Sequence, residues 1–269
     1  MDRWSSVTAS SFMTTMLLFT ALSLLLLTKI ADAKPALLQR RAAITALLTT
    51  EISFFRPFSF YANAAYCGAS ATLSWTCGPT CAANPSFLPT ASGGDGDAVQ
   101  FWYVGFDPTL NTVIVAHQGT DPSHLLPILT DIDIAQEKLD KSLFRGLDSS
   151  IKVHSGFAAA HKRAATGVLA AVQRTIAAHS VNTVTIVGHS LGAAIALLDS
   201  VYLPLNIPGA TFKTILYGLP RVGNQKFADY VDSHVNLKHI RASLTELHFQ
   251  ERSSSHRSWA ISWLSSPIW

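Results

Sequence analysis

The sequence predicts an α/β fold, a mostly parallel sheet covered by helices on both faces. Three observations carry this. Short apolar segments alternate along the chain with longer segments of helical spacing. The segment "VTIV" (184–187) is apolar at every position, as in a strand buried on both sides. The segment after it, "LGAAIALLDSVYL" (191–203), is apolar nearly all round, as in a helix inside a core.

The elements follow in order. "KPALLQRRAAITALLTTEISFF" (34–55) reads as a helix, with Leu37, Ile44, Leu47 and Leu48 at helical spacing and Arg40 and Arg41 on another face. "PTASGGDGDA" (89–98) reads as a loop from its Gly and Asp cluster. "VQFWYVGF", "DPTLN" and "TVIVAH" (99–117) read as strand, turn and strand. "VHSGFAAAHKRAATGVLAAVQRTIAAHS" (153–180) is a long amphipathic helix. Its buried face holds Ala165, Leu169, Val172 and Ile176, and Lys162, Arg163 and Arg174 lie away from it. "TFKTILYGL" (211–219) is a strand and "NQKFADYVDSHV" (224–235) a helix with Asp229 and Asp232 on its solvated side. No repeat or long linker divides the chain, so residues 34–269 form a single domain.

Composition narrows the class. Of 269 residues, 48% are hydrophobic and 14% charged, enough apolar content for one large core. The net charge of +3 comes without a dense Lys/Arg block, which argues against a nucleic-acid partner. Residues 1–33 read as a signal peptide. Arg3 precedes the apolar run "MTTMLLFTALSLLLLT" (13–28), and "ADA" (31–33) offers a small-x-small cleavage site. Cleavage predicts a secreted protein without stable membrane insertion; retention of the leader would make it an anchor. Cys67, Cys77 and Cys81 all lie in the exported part, where disulfides persist. Three is odd, so one thiol lacks an internal partner. "CGPTC" has no His nearby, and no metal is expected there.

The strongest motif is Gly188-His189-Ser190-Leu191-Gly192. An apolar strand enters this G-x-S-x-G and an Ala/Leu helix leaves it. The turn is sharp, so small residues flank the serine, which is thrust above the sheet at a helix N-terminus. There the helix dipole and free backbone N–H groups favour a developing oxyanion. A second oxyanion donor is available at "VIVAHQGT" (113–120), where Gly119 allows close approach and Thr120 offers both an N–H and a hydroxyl.

Four pieces together resemble one family, the secreted fungal lipases of the class 3 type within the α/β-hydrolases. They are "AHQGTDP" (116–122), "VHSGF" (153–157), "VGHSLGAAIALL" (187–198) and "YGLPRVGN" (217–224), in matching order and spacing from about residue 64 to 240. The resemblance implies an α/β-hydrolase fold and a secreted carboxylic-ester hydrolase, foremost a triacylglycerol lipase, with feruloyl or other aryl esterases as near relatives. It implies that Ser190 is the nucleophile that forms an acyl-enzyme. The backbone N–H of Leu191 and the N–H and hydroxyl of Thr120 form the oxyanion hole. Gly188, His189 and Gly192 build the elbow, and His189 is structural. "SHLLPIL" (123–129) occupies the place of the family's lid. Arg221 and Asn224 belong to a fold-supporting loop. The substrate is a lipid or other ester at an oil–water interface, no cofactor is needed, and the protein is a monomer.

The pattern breaks after residue 240. A serine needs a histidine base and an acid to orient it, and in this fold the order is Ser, Asp, His. The family's Asp belongs near "HIRASLTELHF" (239–249), which holds none. Glu246, His248 and His256 are the available substitutes, without the family's surrounding motif. His239 reads as a surface residue, and Asp199 as pointing away from the serine. The Ser- and Trp-rich tail (241–269) therefore reads as foreign to the family, from a frameshift or a splicing difference, leaving the C-terminal part of the fold incomplete. In the family an N-terminal Cys often pairs with a C-terminal one. That implies an orphaned Cys67 and a local Cys77–Cys81 bridge. The competing expectation is an inert lipase-fold protein lacking the triad Asp and His.

Overall fold

A computed structural model describes residues 46–120 and 135–241. The boundary expected at residues 33/34, the lid segment 123–129 and the tail with Glu246, His248 and His256 lie outside these residues. From Thr49 onward the described chain forms one compact unit. Among the described residues no helix is long and apolar enough to cross a membrane.

The chain begins with α1 (Thr49–Ala64), α2 (Ala69–Leu73) and α3 (Pro79–Ala82), then β1 (Leu88–Gly93), β2 (Trp102–Asp107) and β3 (Thr112–His117). A small ribbon follows, β4 (Gln136–Lys138) with β5 (Lys152–His154). Then come α4 (Ser155–His179), β6 (Thr183–His189), α5 (Leu191–Asn206), β7 (Thr211–Tyr217), α6 (Gln225–His234) and β8 (Leu237–Ile240). The main sheet runs β1-β2-β3-β6-β7-β8. The pairs β3–β6, β6–β7 and β7–β8 are parallel, and β1–β2–β3 is an antiparallel meander.

Alternation along the strands sorts the core onto the two faces. Ile114, Ala116, Val187 and Ile215 pack with Phe58, Tyr61 and Phe87 under α1. Val113, Val115, Val184 and Ile186 pack on the other face with α4 and α5. On α4, Ala165 and Val172 are buried and Leu169 and Ile176 half-buried, while Lys162, Arg163 and Arg174 are exposed, as the amphipathic pattern predicts. Helix α5 is buried continuously from Gly192 to Leu203.

Some boundaries differ from the sequence expectation. Residues 46–48 are not helical, and α1 runs past residue 55 to Ala64 with Pro57 inside it. The Pro57 carbonyl accepts a hydrogen bond from the Asn84 side chain (3.0 Å). The expected loop at 89–98 is a strand as far as Gly93. Pairing with β2 extends these small residues, with an irregularity between Pro89 and Ala91. Val153 and His154 belong to β5 rather than to the long helix, and Val153 bridges Gly223. Cys77 and Cys81 form a disulfide, and Cys67 is free and half-buried, its thiol pKa raised by burial.

Candidate active site

Parallel strands deliver their C-terminal ends to one edge of the sheet, and the candidate site is built there. Strand β6 ends at His189 and α5 begins at Leu191, so Ser190 alone turns the chain between them. Its backbone stands at φ 57°, ψ −125°, outside the comfortable regions for a residue with a side chain. Such a conformation costs roughly 1–3 kcal/mol and persists only where its surroundings impose it. Here the Ser190 N–H donates to the Tyr217 carbonyl (3.1 Å), and the Ser190 carbonyl accepts from Ala193 (3.0 Å) and Ala194 (3.2 Å). Ser190 is 4% exposed, and its hydroxyl makes no hydrogen bond to a described residue.

The flanking glycines are required by contact. A Cβ on Gly188 would run into the backbone of Gly192, and one on Gly192 into the carbonyl of His117 and the backbone of Gln118. The second contact places the first turn of α5 against the loop that leaves β3. That loop is anchored by Gln118. Its N–H donates to the Phe101 carbonyl, and its side chain accepts from the Phe101 N–H, both at 2.8 Å. Gly119 fits against the His189 carbonyl and the Tyr66 hydroxyl, with no room for a Cβ. Thr120 follows, its Oγ1 buried without a partner. The Leu191 N–H is at the first position of α5, where no intrahelical acceptor exists.

His189 is held by Tyr66, whose hydroxyl lies 2.5 Å from Nδ1. Burial lowers its pKa to about 3, so the ring is neutral near pH 7. This suits a structural role at the elbow's variable position.

The sequence reading missed a buried cluster behind the elbow. Asp199, on α5, is fully buried and accepts from His117 Nε2 (2.6 Å) and His161 Nε2 (2.9 Å). Burial alone would raise the Asp199 pKa. The charge and hydrogen bonds of the two imidazoles outweigh it and hold the carboxyl at about 2. The cluster ties β3, α4 and α5 together. Asp199 thus serves the scaffold, with both carboxylate oxygens engaged. The three residues are separated by 82 and 38 positions, so no local spacing announces them.

His239 is not a surface residue. It is half-buried, and its Nε2 accepts from the Leu219 N–H (3.0 Å). Burial and the neighbouring Arg241 lower its pKa to about 4. Asn224 caps α6 by accepting from the Phe227 N–H (3.0 Å). It also accepts from the Lys152 N–H (3.2 Å) and donates to the Ser150 carbonyl (2.8 Å). It thereby joins the 217–224 loop to β5. Among the described residues no group of His, Cys, Asp and Glu is arranged to hold a metal ion.

Comparison with known proteins agrees with this geometry. Residues 114–246 match the family described as lipase (class 3), the stretch that runs from the middle of β3 past β8. A secreted mono- and diacylglycerol lipase of Malassezia globosa is 33% identical over 145 residues, 54% of this chain and 47% of that protein. A second from the same organism is 31% identical over 197 residues, 70% of this chain and 59% of that protein. The chain thus spans about half the length of these relatives. Among solved structures, lipase II from Rhizopus niveus superposes with a TM-score of 0.61 at 27% identity, over 73% of this chain and 72% of that one. The mostly parallel sheet, the strained strand–helix turn at Ser190 and the family match across it lead to one reading: over residues 114–246 the chain is similar to the class 3 lipases, and it has the α/β-hydrolase fold.

Proposed function

We propose that the protein is a secreted carboxylic-ester hydrolase acting on acylglycerols through Ser190. The observation that carries this reading is a strained serine, its hydroxyl without a hydrogen bond to a described residue, set beside the Leu191 N–H at the start of α5 and the unpartnered Thr120 hydroxyl. The Ser190 hydroxyl attacks the ester carbonyl and gives its proton to a base. The carbonyl oxygen becomes an oxyanion, taken up by the Leu191 N–H and by the Thr120 N–H and hydroxyl. The alcohol leaves with that proton, and water then releases the fatty acid from the acyl-enzyme. The relatives' names support acylglycerol substrates and secretion, as does the apolar leader. The reading includes a soluble monomer working at a lipid interface.

A second reading, a lipase fold without turnover, is favoured by one observation. Among the described residues, His117 and His161 are engaged with Asp199, His189 with Tyr66, and His239 with the Leu219 N–H. None of these bonds leads to Ser190.

Hydrolysis of p-nitrophenyl butyrate and palmitate by the protein and by its Ser190→Ala variant separates the two. The first reading expects a loss of about 10³-fold or more in kcat in the variant. Equal, background-level rates from two folded proteins establish the second.

A further inference from the structure

The opposite end of the same strands carries a cavity that the elbow does not use. It has a volume of about 280 Å³ and lies under the N-terminal half of α1. Phe55, Phe58, Leu110 and Ile215 supply its apolar lining. Thr112 and Thr185 also line it, but their hydroxyls satisfy each other at 3.0 Å, and Thr112 Oγ1 also donates to the Thr183 carbonyl (3.2 Å). They therefore ask nothing of a ligand. From Thr185 to Ser190 is five residues of strand, roughly 16 Å at 3.3 Å per residue, so the cavity is separate from the elbow.

Two lysines stand at its rim. Ile215 is in register with Lys238 on the next strand, so the two share a face, and Lys213 precedes Ile215 by two residues on that same face. Lys213 and Lys238 are therefore diagonal neighbours, close enough for long side chains to converge. Both are exposed, and among the described residues neither makes an ion pair. Thr214 and Asn236 also line the cavity, and two like charges beside a mainly apolar wall favour one kind of occupant, an anion that carries an alkyl chain. The volume is just below the usual range for small-molecule pockets, which admits a single chain and excludes a multi-chain lipid.

We propose that this cavity binds a monomeric medium-chain fatty acid, with the chain against Phe55, Phe58 and Ile215 and the carboxylate between Lys213 and Lys238. It is a second lipid site, distinct from the elbow, and its occupancy does not require that the protein hydrolyse esters.

Calorimetric titration of the full chain with decanoate below its micellar concentration tests this, with decanol as the uncharged control. The Lys213→Met/Lys238→Met variant keeps side-chain length and removes both charges at exposed positions. The expected result is decanoate binding to the wild type and a loss of about tenfold in the variant, since two exposed ion pairs together supply roughly 1.4 kcal/mol. Decanol should bind both proteins alike. Equal decanoate affinity in the two proteins, equal losses for decanoate and decanol, or no decanoate binding by folded wild type each overturn the proposal. So does binding to phosphatidylglycerol vesicles without binding of free decanoate, which would make the lysines a membrane-surface contact instead.

Discussion

At the scale of single residues, the elbow is a matter of missing atoms. Gly192→Ala would set a methyl group against the His117 carbonyl and the Gln118 backbone, neither of which is a yielding side-chain end. Overpacking of this kind costs about 1–3 kcal/mol. Thermal unfolding should show a lowered Tm for this variant. Ser190→Ala leaves the packing intact and should unfold close to the wild type. His239 makes a second residue-scale prediction. In the unfolded chain its imidazole takes up a proton near pH 6.5, whereas the folded one does so only near pH 4. Between these values the unfolded state binds more protons, so stability falls as pH drops from 6.5 towards 4. His189 adds to the same slope, down to about pH 3. A His239→Gln variant keeps an acceptor for the Leu219 N–H and does not titrate. Urea unfolding at pH 7.5, 5.5 and 4.5 should show a shallower loss in it than in the wild type.

At the scale of elements, the Asp199 cluster fastens the elbow helix. Removing its carboxylate by Asp199→Ala leaves two buried imidazoles without their acceptor, a change that typically costs roughly 3–5 kcal/mol. The expected outcome is a large fall in the urea midpoint, far larger than for Asp229→Ala on the exposed side of α6. Elements also show what the sequence made legible. Segments with strong periodicity, such as α4, or with unbroken apolarity, such as β6, were readable because burial alone determines them. β1 was not, because "PTASG" has the composition of a loop and is extended only by pairing with β2. The continuation of α1 through Pro57 was hidden for a similar reason: a proline normally ends a helix, and tertiary packing retained this one. The elbow itself was legible because its chemistry is local. The His117–Asp199–His161 cluster and the Tyr66–His189 bond were not, because they join residues from separate elements.

At the scale of the whole molecule, one sheet presents two ends to different chemistry. The C-terminal ends of β3 and β6 support the elbow, and the N-terminal ends of β3, β6 and β7 underlie the cavity. Strands β3 and β6 are paired on both sides and buried on both faces, whereas β4 is a short, fully exposed strand. Hydrogen exchange should therefore protect the amides of Ile114–Ala116 and Thr185–Val187 longest and release those of Gln136–Lys138 first. Comparable exchange in the two groups would show that the sheet does not act as the rigid centre.

His117 touches the elbow helix twice. Its carbonyl lies against Gly192 in the first turn, and its ring is bonded to Asp199, seven residues further along. That interval is roughly 10 Å of helix axis at 1.5 Å per residue. A strand end clamped to a helix at two such points can neither slide along it nor pivot on it. The gap between the Thr120 side and the Leu191 side is thereby fixed when the chain folds, before any ligand arrives. The oxyanion site proposed above, with its donors already spaced, would need no proton transfer to recognise a tetrahedral anion. A phosphonic acid, already tetrahedral and anionic at neutral pH, should find the same welcome whether or not the serine beside it ever completes a turnover.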